Sequence, residues 1–266
     1  MILEALEWLA TPCPRPLRDM GYLSELIAIG GRHRRCRAAW AEHLSRSRQA
    51  ILDAAESAPG RRTAVVLGAG RLLDVPLAGL AARFQSVVLV DAVHPLGARW
   101  QARRHANVTL LAADVTGTAA ALHRWRPGEA LPVPRPFALL QRDDVDFVVS
   151  LNLLSQLGVL PGEWLEKRGG AAAAQAFSAS LTRAHLDDLA RCRARVCLIG
   201  DVEWWHARAD GTVVERSSSI DESAAPAAIA EWIWPMAPAP EADPQLSEFR
   251  RVIVARDPGR NTQAAG

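Results

Sequence analysis

The stretch TAVVLGAGRLLDVPLAG, from Thr63 to Gly79, holds the residues best able to do chemistry. An apolar run ends in Gly68-Ala69-Gly70, and small residues at such a turn let a ligand approach the backbone closely. A dinucleotide fingerprint would place a third glycine at the position of Leu73. Two acids close the next apolar runs: Asp91, 21 residues after Gly70, and then Asp114. An acid at about that separation is placed to accept hydrogen bonds from ribose hydroxyls, and its charge repels a 2′-phosphate. After Gly70 the chain runs on as RLLDVP. Aspartate caps helices well and proline is tolerated in a first turn, so the spacing predicts a helix that starts at Asp74 with Pro76 inside its first turn. A long loop bearing two leucines and an acid is a poor seat for a pyrophosphate. It suits a ligand that carries adenosine but no phosphate. Asp74 reads either as the helix cap or as a ligand contact.

Other reactive side chains are more scattered. His206, in DVEWWHAR, follows an apolar run and sits beside Asp201, Glu203, Trp204 and Trp205. Histidine titrates near neutrality, so His206 is a candidate base, and strand alternation could equally put it on a solvated hairpin face. His94 follows Asp91 closely, either as a neighbour of the ribose or as a loop residue. In GGRHRRCRAAW, Arg32, Arg34, Arg35 and Arg37 crowd what reads as the start of a helix, where the macrodipole disfavours cations. Such a cluster holds an anionic substrate or forms a solvated basic face; Arg32 and Arg35 are the substrate-binding candidates, with Tyr22, the only tyrosine, as a lid residue. Trp8 and Trp40 are assigned to packing. No histidine–cysteine group has metal spacing, so no metal is expected, and no G-x-S-x-G elbow points to a serine hydrolase.

These residues need elements to position them. From Met1 to about Gly60 the periodicity is helical, with GYLSELIAIGG closed by Gly30-Gly31 and a longer helix carrying Trp40, Leu44, Ile51 and Ala55. From Thr63 short apolar runs alternate with helical ones: TAVVLG, SVVLVD, NVTLLAAD, VDFVVSLN and ARVCLIGD. Such alternation specifies a parallel sheet covered on both faces. The strand ends bearing the glycine turn, Asp91 and Asp114 would then line one crevice. RPGEALPVPRPF and GVLPGEWLEKRGG read as insertions. EWWHARADGTVVER reads as a hairpin about Asp210-Gly211, and AEWIWPM with FRRVIVAR gives an antiparallel pair at the end. The division expected is a helical cap over 1–60 and an α/β domain over 61–266.

The chain of 266 residues is 49% apolar and 23% charged, which suits a globular protein with a substantial core. A net charge of +2 disfavours nucleic acid as a partner. Lys167 is the only lysine, which leaves one candidate for Schiff-base chemistry. Four cysteines without a C-x-x-C pair, no secretory signal at the start and no long apolar window read as free thiols in a cytoplasmic protein that does not span a membrane.

Taken together, VVLGAG, VVLVDA, LLAADV and DFVVSLNLLSQL, with the closing pair ending in FRRVIVAR, resemble the class I S-adenosylmethionine-dependent methyltransferases over about Thr63 to Arg256. The resemblance implies a Rossmann-like, doubly wound, mostly parallel seven-stranded sheet with a C-terminal antiparallel pair, S-adenosylmethionine as cofactor and methyl transfer to a small-molecule acceptor. It implies that Gly68, Ala69 and Gly70 face the methionine part, that Asp91 binds the ribose, that Asp114 lies beside the adenine, and that Ser150, Leu151 and Asn152 lie under the sulfonium. Asn152 and Gln156 read either as amide dipoles near the presumed transfer site or simply as a strand end and helix start, and Asn152 and His206 are the catalytic candidates. The usual acid before the glycine turn is replaced by Val66 and Leu67, the usual third small residue by Leu72, and the N-methylating Asn/Asp-Pro-Pro-aromatic stretch by SLNLLSQL. A nicotinamide oxidoreductase and a catalytically silent, partner-binding member are the competing readings.

Overall fold

The computed structural model describes residues 2–221 and 225–259. Four helices come first: α1 (Ile2–Ala10), α2 (Arg15–Asp19), α3 (Tyr22–Arg35) and α4 (Arg37–Glu56). Strands and helices then alternate through β1 (Thr63–Leu67), α5 (Leu77–Arg83), β2 (Ser86–Asp91), α6 (Leu96–Ala102), β3 (Val108–Ala112) and α7 (Ala119–Arg124). After a 3-10 turn at Ala138–Gln141 come β4 (Val145–Leu151), α8 (Val159–Lys167), α9 (Ala171–Arg191) and β5 (Arg195–Ala207). β6 (Val213–Ser218), β7 (Ala230–Ala237) and β8 (Ser247–Arg256) finish the chain.

The strand order is β3-β2-β1-β4-β5-β8-β7, parallel from β3 to β5 and antiparallel where β8 joins β5 and β7 joins β8. This is the Rossmann-like, doubly wound sheet with an antiparallel end, and its order reverses between β1 and β4. Eight strands are present among the described residues, one more than expected. β5 is 13 residues long; its first half pairs with β4 and its second half overhangs to pair with β6 through the hairpin about Gly211. β6 is exposed along its whole length, so it adds backbone pairing without adding to the core.

Two faces of the sheet are covered. α4, α5 and α6 bury Trp40, Ile51, Leu80 and Ala98 against β1, β2, β4 and β8. On the other face α9 and the 3-10 turn bury Leu189 and Leu140 against Val65, Val148 and Val196. β1 and β4 are buried at every position, as expected of central parallel strands.

Three local expectations are corrected or completed. Gly30-Gly31 do not end a helix; α3 runs through both to Arg35. GVLPGEWLEKRGG, read as an insertion after β4, carries an element of its own, α8. α5 starts at Leu77 and not at Asp74, because Pro76 stands at its N-cap.

Candidate active site

The crevice forms at the carboxyl ends of β1, β2, β3 and β4. Gly68 takes a positive φ of 77°, and its amide donates to Val90 O at 3.0 Å. A Cβ there would collide with Leu151 O at the end of β4 and with the Leu153 side chain, so this glycine lets two strand ends meet. Gly70, at φ 47°, has open space on its cavity side and lies beside the Asp91 carboxylate. Asp91 Oδ2 accepts the Gly70 amide at 2.7 Å, and Oδ1 accepts the Val93 amide at 3.4 Å. The acid that closes β2 therefore fastens the turn that closes β1. Burial pushes the Asp91 carboxyl up, against the pull of those amides and of nearby His94.

Asp114 receives the Thr116 amide and hydroxyl on Oδ1, at 2.9 and 2.7 Å, and the Ala119 amide on Oδ2 at 2.7 Å. It caps α7 while its side chain lines the crevice. Tyr22 closes this end from α3; burial first, then the charges of Asp114 and Asp91, push its phenol above the ordinary range. His94 is buried beside Asp91 but does not line the cavity.

At the end of β4, alternation turns Ser150 and Leu151 to opposite faces, and the chain then leaves the strand at Asn152. Ser150 is fully buried and its hydroxyl meets His185 Nε2 of α9 at 2.7 Å, so it lies on the far face of the sheet and not under the crevice. Asn152 lines the crevice with a positive φ of 52°, a conformation costly for a residue other than glycine. Its backbone amide donates to Ile199 O at 2.8 Å, and its Nδ2 donates to Asp74 Oδ2 at 2.7 Å. Its Oδ1 is buried without a partner. Asp74 is thus no helix cap. It is a half-buried acid on the cavity wall that clamps Asn152, and loss of solvent around the carboxyl pushes it up to about 6.

One cavity of about 570 Å³ joins these features to a second compartment beyond Asn152. Its walls are Trp40 and His43 from α4, Trp234 and Met236 from β7, and Trp204 from β5. Trp40 Nε1 donates to Met236 O at 2.8 Å. His43 stacks on Trp234 at 3.9 Å with planes 5° apart, and accepts Trp232 Nε1–H on Nδ1 at 3.1 Å. Its ring proton therefore sits on Nε2, and burial pushes its pKa down to about 4, so it is neutral at pH 7. Asp201 is spent on Ser155, Ser219 and Arg250, at 2.6, 2.9 and 2.9 Å.

The arginine cluster is also reinterpreted. Arg32, Arg34 and Arg35 fall in the last turn of α3, where the macrodipole favours cations. Arg34 pairs with Glu4, and Arg35 makes a two-toothed pair with Glu241 at 2.8 and 2.5 Å outside the cavity. Only Arg32 lines the cavity. His206 does not; its Nδ1 approaches Glu215 on β6 at 3.3 Å, and its ring meets Trp204 edge-on, so the hairpin-face reading holds. Trp8 is partly exposed under the Arg18 guanidinium and packs no core.

Three contributors escaped the sequence reading. Arg71 lines the cavity next to Gly70 and holds Glu7 of α1 at 2.7 Å and Leu26 O at 3.3 Å. His43 and the Asp201–Arg250 pair are the others. His43 and Ser47 were findable: they share the helical phase of Trp40, Leu44 and Ile51, so a polar residue stood on an apolar stripe. Among the described residues no group of three His, Cys, Asp or Glu could hold a metal ion, and no helix is long and apolar enough to cross a membrane.

No family model and no curated protein matches the chain. Similar solved structures include the N-methyltransferase NodS from Bradyrhizobium japonicum in complex with S-adenosylhomocysteine, at 13% identity and TM-score 0.37 over 80% of this chain and 87% of that one. The YcgJ protein from Bacillus subtilis scores 0.44 at 13% identity over 80% and 97%. A 1,6-didemethyltoxoflavin-N1-methyltransferase from Burkholderia thailandensis scores 0.37 at 16% identity over 92% of each chain. At these scores the likeness is loose, and the architecture rests on the strand order itself.

Proposed function

We propose that this protein transfers a methyl group from S-adenosylmethionine to a small-molecule acceptor. The observation that carries the reading is the crevice itself: a glycine turn fastened to Asp91, with α5 withheld until Leu77. A pyrophosphate needs the free amides of a helix N-terminus beside the turn, and here six residues, Pro76 the last of them, intervene between Gly70 and Leu77. An adenosine without phosphates needs the acids, the backbone approach and an apolar continuation, all of which line one cavity. That continuation favours a small acceptor over the nicotinamide alternative, and nothing about the site favours a polyanion.

In this reading Asp91 takes the ribose hydroxyls, Asp114 and Tyr22 border the adenine, and Gly70 and Arg71 border the amino-acid end. The unpartnered Asn152 Oδ1, beside the strand end where reactants would meet, is a fitting acceptor for a donor or a positive centre. The sulfonium supplies an activated methyl group for in-line displacement. The chain's own task is alignment and exclusion of water, which in favourable models contribute on the order of 7–11 kcal/mol. His206 lies on the hairpin face, and His43 is neutral with Nδ1 occupied, so the reading uses positioning and no histidine base.

Calorimetric titration with S-adenosylhomocysteine, NAD and NADP tests it. S-adenosylhomocysteine binds and the dinucleotides do not; Asp91→Ala weakens the binding at least about tenfold, the loss of one or two charge-assisted hydrogen bonds. Heat with NAD and none with S-adenosylhomocysteine would overturn the reading.

A further inference from the structure

Three buried polar atoms without hydrogen-bond partners belong to residues that line this cavity: Asn152 Oδ1, Arg32 Nε and Trp234 Nε1. Asn152 belongs to the transfer site just described. The other two are donors, and they come from opposite walls, α3 and β7.

Burying an indole N–H without an acceptor costs about 1–3 kcal/mol, and Trp234 is only 8% exposed. The ring has other places to spend its edges: it stacks on His43 and meets Trp40 edge-on at 4.9 Å. None of those contacts accepts its proton.

Arg32 carries the charge argument. Glu241 is the acid that faces both Arg32 and Arg35. Arg35 takes both carboxylate oxygens at hydrogen-bond distance, while Arg32 Nε stands 3.9 Å away. Two cations share one anion, so Arg32, the less closely paired of them, keeps charge to offer at a wall that also carries Glu25. Arg250, the other arginine of this compartment, has none to spare, because Asp201 and Glu248 both take it up. Asp201 is likewise satisfied by Ser155, Ser219 and Arg250 and offers no competing demand for a cation. The remaining walls are flat and apolar: Trp40, the His43–Trp234 stack and Met236.

We infer that this second compartment binds a planar aromatic carboxylate, its ring against the packed wall of Trp40, His43 and Trp234 and its anionic oxygens on Arg32 and the Trp234 N–H. This names the acceptor class within the methyl-transfer reading and rests on it for that role. The binding itself rests only on the compartment.

Calorimetry with indole-3-carboxylate and uncharged indole, each alone and with saturating S-adenosylhomocysteine, tests the assignment. The carboxylate binds about tenfold tighter than indole, the worth of one charge-assisted pair. Arg32→Gln erases that preference, and Trp234→Phe, which keeps a ring and deletes the N–H, reduces it about threefold to tenfold. Arg32 lies on the last turn of α3 and is partly exposed, so Arg32→Gln tests the preference without excavating the core. Equal binding of the two rings, no binding of either, or a preference that survives Arg32→Gln overturns the inference. If the carboxylate preference holds while S-adenosylhomocysteine fails to bind, the methyl-transfer reading falls and the compartment assignment stands; the reverse pattern sinks only the assignment.

Discussion

Asp74 is a half-buried acid whose hydrogen-bond partner is an amide and not a cation. Its native pKa of about 6 lies above the ordinary 3.8, so between those values the folded chain keeps a proton that the unfolded chain has lost. Stability from this group is full below pH 3.8 and declines as pH rises through about 6, by about 3 kcal/mol at most. Asp74→Asn keeps an acceptor for Asn152 and removes the charge. It leaves stability near wild type at pH 4 and raises it by about 1–3 kcal/mol at pH 7, read from urea midpoints at the two values; an equal effect at both would refute the argument. At this scale the sequence revealed whatever depended on spacing. Gly70 and Asp91 could be paired from their separation alone. Ser150 could not be sent to the correct face, because one residue of strand register decides between His185 and the crevice. Of the two readings of Asp74 the cap fails, and it was open at all because a capping residue and a clamp on a cavity wall look alike until the helix start is known.

α3 shows why elements are harder to bound than to detect. A glycine pair ends a helix only where a residue turns left-handed, and Gly30 and Gly31 stay helical because both are needed without side chains. A Cβ on Gly30 would stand 2.5 Å from the Arg71 guanidinium carbon, and one on Gly31 would stand 3.0 Å from a Glu4 carboxylate oxygen. The pair lets α1 and the glycine-turn loop close on α3. Gly30→Ala therefore has opposed effects. Helix propensity gains up to about 1 kcal/mol, while the displaced Arg71 releases Glu7. The expected outcome is an unchanged or slightly raised melting temperature with faster amide exchange confined to α1, measured by hydrogen–deuterium exchange; protection of α1 equal to wild type would count against the Arg71 strut. The same loss of boundary information hid α8, whose Pro161 and Gly162 imitate a loop.

Across the whole molecule the alternation of apolar runs with helices was enough to specify the doubly wound sheet. The hairpin about Asp210-Gly211 was legible, but its second arm was not counted as a strand of the sheet, because the exposed VVERSS of β6 has no core face and joins only by pairing with the β5 overhang. Global acid stability depends on histidines that alternation alone does not single out. His43 and His185 are both pushed down by burial to about 4 from 6.5, opposite in sign to Asp74. Their contribution is present above pH 6.5 and lost as pH falls through about 4, at about 3 kcal/mol each, against the opposite contributions of Asp74 and of Asp91 and Asp188, which burial also raises. His185→Gln, which can still meet the Ser150 hydroxyl, therefore loses less stability than the wild type between pH 7 and pH 4.5, read from urea midpoints; the same loss in both would contradict this. The helices that roof the cavity are fastened differently from the core beneath them. Glu7–Arg71, Glu4–Arg34 and Arg35–Glu241 tie α1, α3 and the segment after β7 at the rim, and the last two are substantially exposed. Exposed pairs are screened over about 8 Å at physiological ionic strength, whereas the apolar floor is indifferent to salt. Ionic strength thus loosens the fastenings of the entrance well before it touches the packed aromatic floor, so salt and heat would open this molecule from different ends.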